Sequence, residues 1–430
     1  MKVFILGAGV TGITAAYFFV RAGHAVTVIE RHGEAGAETS FANGGQLSYS
    51  YVAPLAEPSV IGKLPSLLTD RHSPLRFRPA LDPAQWRWCL KFLAACTTRT
   101  SRRTTLDLLK LGAYSRHLVN EIAETEHLSF NHTHTGKLVL YRAPDAFAAA
   151  RRQMDFQNAH GCEQRAVSAS ECADIEPALL EQARHLAGGI YTPSEESGDC
   201  HAFCSALSNV LKTRYGVKFL FGTTIHSFVT RDKGAHSIDA IDTSRGRIDG
   251  DLFVACLGVG GVGLLDLPGL HVPVYPLTGY SLTVPSVADA APLVSITDTH
   301  HKIVYAKLGN HLRIAGMVDI GPISARVQRA RVDLLRRQAK DFLPCAGRYD
   351  EARVWTGMRP ATPSGKPVIG PTRYRNLWLN TGHGALGFTL ACGTGSLVAS
   401  LASAERPAID VSPFVLRNAL IPSHLNRVEP

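Results

Sequence analysis

The chain has 430 residues, 45% hydrophobic and 19% charged, with 38 Gly and 24 Pro scattered along it rather than in tandem. That excludes collagen-like, low-complexity and disordered classes and leaves a folded protein of one large domain or two to three ordinary ones. The formal charge of +9 is concentrated in residues 61–105, where Lys63, Arg71, Arg76, Arg78, Arg87, Lys91, Arg99, Arg102 and Arg103 stand against only Asp70 and Asp82, and no nucleic-acid-binding motif accompanies them.

The first thirty residues read as one strand–turn–helix–strand unit. Residues 2–6 are a short apolar run suited to a buried parallel strand, a helix runs from a glycine-rich turn to about Ala22, Gly23 ends it, and 25–30 form the next strand. The apolar run Val3–Val20 imitates a signal peptide or a membrane span. Gly7, Gly9 and Gly12 interrupt it, however, and cleavage would discard half of the unit. Neither processing nor export is expected, and Asn131-His-Thr133 is not taken as a glycosylation site.

Residues 36–54 form a long loop of the functional kind. Helix is expected over 84–125, a strand at Lys137–Tyr141, and a helix over His201–Arg214 capped by Asp199, with Val217–Phe221 following as a strand. Residues 247–257 end in the buried strand Leu252–Cys256, short β runs fill 272–320, and the strand Leu377–Leu379 leads into a helix from about Phe388 to Ala404. The nine cysteines are widely spaced and read as free thiols of a reducing compartment. Cys200 and Cys204 are neighbours on a helix face; with no CxxC pair in the chain, no metal site is expected.

Three stretches match Gly-x-Gly-x-x-Gly. Gly7-Ala-Gly9-Val-Thr-Gly12 follows a strand and opens a helix, and Glu30, with Arg31 beside it, ends the second strand. Glycines allow close backbone approach to a pyrophosphate, the helix end attracts negative charge, and the carboxylate accepts from ribose hydroxyls, so an adenine dinucleotide is expected. Gly258-Val-Gly260-Gly-Val-Gly263 has no room for a helix before Pro268 and reads as a decoy loop. Gly382-His-Gly384-Ala-Leu-Gly387 sits between a strand and the last helix. A glycine-rich helix start at each end of the chain suits a long cofactor such as FAD better than NAD.

Four further stretches carry a resemblance: Glu38-Thr-Ser40-Phe-Ala-Asn43-Gly-Gly-Gln46, Tyr275-Pro-Leu-Thr-Gly279-Tyr280-Ser281, Trp355-Thr-Gly-Met-Arg359-Pro360 with Gly365-Lys-Pro367, and Asn380-Thr-Gly-His383-Gly-Ala-Leu-Gly387-Phe-Thr389. With them the chain resembles the FAD-dependent D-amino-acid oxidase / glycine oxidase superfamily, in its D-amino-acid dehydrogenase small-subunit branch, over nearly its whole length. The resemblance implies an α/β protein with a Rossmann-like FAD-binding domain of discontinuous segments (1–50, 170–260 and 350–430). A second α+β substrate domain (51–169 and 261–349) would hold a mainly antiparallel sheet. It implies non-covalent FAD held by Thr39, Ser40, Asn43, Gly44 and Gln46 at the flavin end and by Gly382, Gly384, Gly387 and Thr389. It points to Arg359 for the substrate carboxylate, which a guanidinium fork matches in shape and charge. Tyr280 and Tyr305 are the candidates, with Arg359, for the catalytic site, helping to hold the carboxylate or shape the pocket, and His383 reads as a packing histidine.

The resemblance implies oxidative deamination of a D-amino acid to a 2-oxo acid and ammonia through an imino acid. The hydride passes from Cα to flavin N5, and the electrons go to a membrane quinone or another acceptor. Tyr49, Tyr51, Tyr305 and Thr278 depart from the branch and make a cyclic D-imino acid, D-proline or hydroxy-D-proline, a second candidate substrate. An oxygen-using oxidase of the same fold, a non-catalytic flavin-carrying electron-transfer subunit and a soluble NAD dehydrogenase also stay open at the level of sequence. Trp86, Trp88, Leu90, Phe92 and Leu93, interleaved with Arg87 and Lys91, suit contact with an anionic bilayer. A cytoplasmic protein peripheral to the inner face of the membrane is expected.

Overall fold

The structure, a computed structural model, describes residues 1–62, 73–230, 236–321 and 328–416; Lys63, Asp70 and Arg71 of the basic stretch lie outside them. Two large sheets organise the chain. The first runs in the order β19 (Val368–Pro371), β20 (Leu377–Thr381), β13 (Leu252–Ala255), β1 (Lys2–Leu6), β2 (Ala25–Ile29) and β9 (Lys218–Leu220), parallel throughout except at β19. Its strands read as continuous apolar runs because both faces are covered. Val3, Ile5, Val26, Val28 and Val254 pack under α1 (Val10–Arg21), α4 (Cys200–Thr213) and α6 (Gly387–Ala402). Leu6, Ile29, Phe253 and Leu379 meet the small sheet β10 (Ile225–Val229), β11 (Ala240–Thr243) and β12 (Gly246–Ile248). With the turn before it, α6 is long and apolar enough to cross a membrane, yet it is mostly buried in this core.

The second sheet is mostly antiparallel. Its order is β18 (Arg353–Ala361), β14 (Tyr275–Pro285), β17 (His311–Ile320), β16 (Ile303–Leu308), β15 (Ser295–Asp298), β5 (Lys137–Tyr141), β7 (Gly188–Thr192) and β6 (Arg165–Val167), with β4 (Leu75–Phe77) beside β17. One face packs on α5 (Arg329–Phe342) through Tyr280, Leu282, Val284, Tyr305, Leu335 and Phe342. The other takes the loop that precedes β3 (Gln46–Leu47), which itself pairs with β8 (Glu196–Ser197): Ser281 Oγ donates to the Ala42 carbonyl, and Arg313 Nη1 to that of Asn43.

Helix over 84–125 is present as two pieces, α2 (Pro83–Ala95) and α3 (Thr98–Thr125), because Thr97 caps the second by accepting from the Thr100 N–H. The expected domain boundaries need correction. β7 pairs with β5 and β18 with β14, so both belong to the second sheet. Leu108, Leu111, Leu118 and Val119 of α3 sit in the core of the first unit against α6.

Candidate active site

Backbone geometry at the first glycine turn builds a place for an anion. Gly7 has φ +101°, and a Cβ there would stand 2.7 Å from the Cys256 carbonyl oxygen. A Cβ on Gly12 would stand 1.9 Å from the Gly7 carbonyl oxygen, so Gly12 is needed for α1 to pack against the turn. Gly9 caps α1 without a side-chain hydrogen bond, and no acidic residue occupies the first helical turn. The positive end of the helix dipole is therefore open to a negative ligand. Glu30 steadies the turn, its carboxylate accepting from the Ala8 and His32 N–H groups at 2.8 Å each. Two of its lone-pair sites remain for other donors.

A groove extends from this turn. Of the residues expected at the cofactor, Gly7, Gly9, Glu30, Arg31, Thr39, Ser40, Gly384 and Gly387 line it. Ser40 Oγ accepts from the Val10 N–H at 3.0 Å, and Thr39 Oγ1 donates to the Met358 carbonyl at 2.9 Å, fixing the loop between the helix start and β18. Six others support the walls instead. Gly12 is the packing contact already described. Asn43 Oδ1 accepts from the Gly45 N–H, Gly44 passes tightly over Val304, and Gln46 donates to Ser295 Oγ at 2.6 Å. Thr389 Oγ1 accepts from the Ser48 N–H, and Gly382 holds φ +81° against Thr362.

Gly258–Gly261 of the expected decoy forms a short 3-10 turn. It lines the same groove, with Gly258, Val259 and Gly260 opposite Arg31. Sequence reasoning also passed over Thr223, Thr224 and Thr381; the third glycine repeat was the nearest signal for the last of these. Asn380 Oδ1 and Thr381 Oγ1 are buried without a hydrogen-bond partner beside the groove. Unspent polar atoms, an open helix start and a turn that a Cβ would fill all fit FAD. His383 also lines the groove, but burial lowers its pKa to about 3 and its Nε2 lies 2.9 Å from Thr394 Oγ1, so it packs as a neutral group.

Arg359 lies next to that groove, whose wall includes Pro360. Its side chain crosses flat over β14 at Gly279, where a Cβ would meet Nη1 at 2.3 Å. Opposite Gly279 the register of β17 slips by one residue. Met317 takes φ +61° there and turns its carbonyl to accept from Arg359 Nη1 at 3.2 Å. A methionine in the left-handed region costs roughly 1–3 kcal/mol, and bulges of this kind re-aim groups at sites. Burial pushes the Arg359 pKa down, and no carboxylate among the described residues pairs with it. A half-buried guanidinium with donors to spare calls for an anion.

The two expected pocket tyrosines are elsewhere. Side chains alternate along a strand, and Tyr280 and Tyr305 point to the α5 face, away from Arg359. Tyr280 donates to Asp319 Oδ2 at 2.8 Å, and Asp319 pairs with Arg331 at 2.8 Å; Tyr305 packs at 5.5 Å on Phe342. Their assignment to the substrate pocket is corrected to core packing, with Gly279 the informative residue of that motif. Tyr280→Phe should therefore lower stability by about 1–3 kcal/mol, the cost of stranding a buried carboxylate oxygen. It should leave kcat/KM within a few-fold of wild type, and thermal melting beside steady-state rates checks both.

Tyr49 and Tyr51, which raised a cyclic substrate, are engaged elsewhere: Tyr49 donates to Glu196 Oε2, and Tyr51 covers Lys137 Nζ at 4.3 Å.

The family model described as FAD dependent oxidoreductase matches residues 2–401. The chain is 46% identical over 421 residues to D-amino acid dehydrogenase 2 of Pseudomonas aeruginosa, covering 97% of this chain and 99% of the relative. It is 44% identical to D-amino acid dehydrogenase 2 of Ralstonia nicotianae, covering 97% and 100%. Among solved structures, glycine oxidase from Geobacillus kaustophilus superposes with a TM-score of 0.76 at 21% identity, covering 96% of this chain and 98% of that one. L-proline dehydrogenase from P. horikoshii gives 0.73 at 16% identity, covering 93% and 92%.

Proposed function

The chain belongs to the FAD-dependent oxidoreductase family, and from that premise we propose that it is a D-amino-acid dehydrogenase that converts D-amino acids to 2-oxo acids and ammonia. The single observation that carries the substrate class is the half-buried guanidinium of Arg359 beside the FAD groove, with no carboxylate paired to it among the described residues. FAD when bound would supply a two-electron acceptor for the hydride that leaves Cα as the substrate becomes an imino acid. Gly7, Gly9 and the start of α1 would hold its pyrophosphate, Glu30 its ribose, and Thr39, Ser40, Gly384 and Gly387 the parts nearer the flavin.

The protein's work is binding and orientation. Arg359 receives the substrate carboxylate in a bidentate fork, and the Met317 carbonyl holds that fork in place. No titrating side chain is required as a base, since an amine that enters neutral provides its own lone pair. The histidine nearest the groove, His383, stays neutral across the working range. Water then hydrolyses a primary imino acid to the 2-oxo acid. Anaerobic mixing with D-alanine tests the reaction: bleaching of the flavin with equimolar pyruvate supports it, and an unreduced flavin across a panel of D-amino acids opposes it.

The acceptor we propose is a membrane quinone, reached from the cytoplasmic face. Helix α2 supports this through its two faces. Trp88 and Phe92, expected at the bilayer, are instead buried and stacked at 5.2 Å, with Trp88 Nε1 donating to the Ala361 carbonyl. Trp86, Leu90 and Leu93 stay exposed beside the cations Arg87 and Lys91, with Leu81 fully exposed at the start of the helix. Each cation near an anionic surface contributes roughly 1 kcal/mol. Wild-type protein should sediment with phosphatidylglycerol vesicles at low salt. The Trp86→Asp, Leu90→Asp double variant should stay in the supernatant while keeping its rate with a soluble dye acceptor. Equal sedimentation of the two proteins would count against docking by α2.

A further inference from the structure

Away from the groove, a second cluster of chemistry-bearing side chains gathers on β8. The segment His132–His134 is extended beside it, pinned by the Thr133 and Ser197 backbone pair (2.8 and 3.0 Å) and by their hydroxyls at 2.7 Å. Alternation along an extended chain sends His132 and His134 to one side. That side holds Glu196, whose side chain is only 1% exposed. His132 Nε2 lies 2.9 Å from Glu196 Oε2, His134 Nδ1 lies 3.5 Å from Oε1, and the three ligand atoms fall within 4.8 Å of one another.

The carboxylate is held ready from behind. Asn120 Nδ2 donates to Oε1 at 2.9 Å, Arg116 Nε lies 3.3 Å from the same oxygen, and Tyr49 OH donates to Oε2 at 3.2 Å. Phe130 stacks on the His132 ring at 4.6 Å and fixes its plane. Such outer contacts orient metal ligands and are what a chance meeting of two histidines and an acid lacks.

We propose that His132, His134 and Glu196 form a binding site for a borderline divalent transition-metal ion of the zinc class. Two imidazoles and one carboxylate match the preferences of zinc and its neighbours, and not those of magnesium or calcium, which take oxygen ligands. The ion replaces the proton between His132 Nε2 and Glu196 Oε2, leaving Oε1 to Asn120 and Arg116, and enters past His134, which is the exposed member of the set. Water completes the coordination. Glu196 pairs in register with Leu47, and Ser48 hydrogen-bonds to Thr389 on α6, so an ion here stiffens the segment that follows the cofactor loop.

Calorimetric titration of EDTA-treated holoenzyme with zinc chloride tests the site. One ion per chain is expected, with the melting temperature raised. Affinity should fall more than about tenfold in His134→Ala and in His132→Ala. Cys345→Ser, which removes the exposed thiol, should leave it unchanged, and magnesium chloride should give no binding. Because His134 is exposed, His134→Ala should keep the wild-type circular dichroism and flavin content. Zinc that binds wild type and His134→Ala equally, or that fails to bind wild type at up to about 1 mM, overturns the assignment.

Discussion

Arg359→Met should lower kcat/KM for D-amino acids by about 10²- to 10³-fold, the roughly 3–4 kcal/mol that a desolvated charge pair is worth when one partner is removed. The protein should stay folded and yellow. Its melting temperature without substrate should change little, because this half-buried guanidinium pairs with no carboxylate among the described residues and holds only the Met317 carbonyl. That separates this arginine from a structural ion pair, whose loss would lower stability as well. Arg359→Lys should recover little, since a point charge does not reproduce the fork. Gly279→Ala should reproduce most of the catalytic loss by displacing the side chain that lies over it.

Loss of the cofactor altogether is expected from Gly9→Val, with the chain still folded. A Cβ at this position meets nothing nearer than Ser40 Oγ at 3.5 Å, so the fold accommodates a side chain. The space it fills is the groove in front of α1, where the pyrophosphate needs close backbone approach. Purified Gly9→Val should be colourless with a wild-type circular dichroism spectrum, and added FAD should not restore activity. Gly12→Ala should fail differently, by unfolding or insolubility, because its Cβ would stand 1.9 Å from a backbone oxygen. A yellow, active Gly9→Val protein would place the cofactor elsewhere.

Much of this site was legible because glycine and arginine carry their reasons locally. A turn that needs φ +101° at Gly7 and a bare helix start reveal themselves in spacing, and Arg359 in a Gly-x-Arg-Pro setting offers a charge that must be answered. The tyrosines misled because the second sheet is buried on both faces at Tyr280 and Tyr305: apolar neighbours on either parity look alike, and only the packing of α5 decides which face each ring joins. The slip at Met317 leaves no trace in residue type, since methionine is disfavoured in the left-handed region that it occupies. Gly258–Gly261 was dismissed for want of a helix, yet β13 ends beside β1 and delivers it to the groove. Pairing between segments far apart in the chain, as between β18 and β14 or β7 and β5, sets the domain boundaries and is not written in local pattern.

The central claim is that a carboxylate on Arg359 presents Cα to FAD bound in the groove. Anaerobic stopped-flow mixing with D-alanine and with ethylamine, its analogue without the carboxylate, tests it most directly. Rapid bleaching by D-alanine, no measurable bleaching by ethylamine, and the loss of that difference in Arg359→Met are the predicted results. Equal reduction by both compounds, or undiminished reduction by D-alanine in Arg359→Met, would contradict the claim.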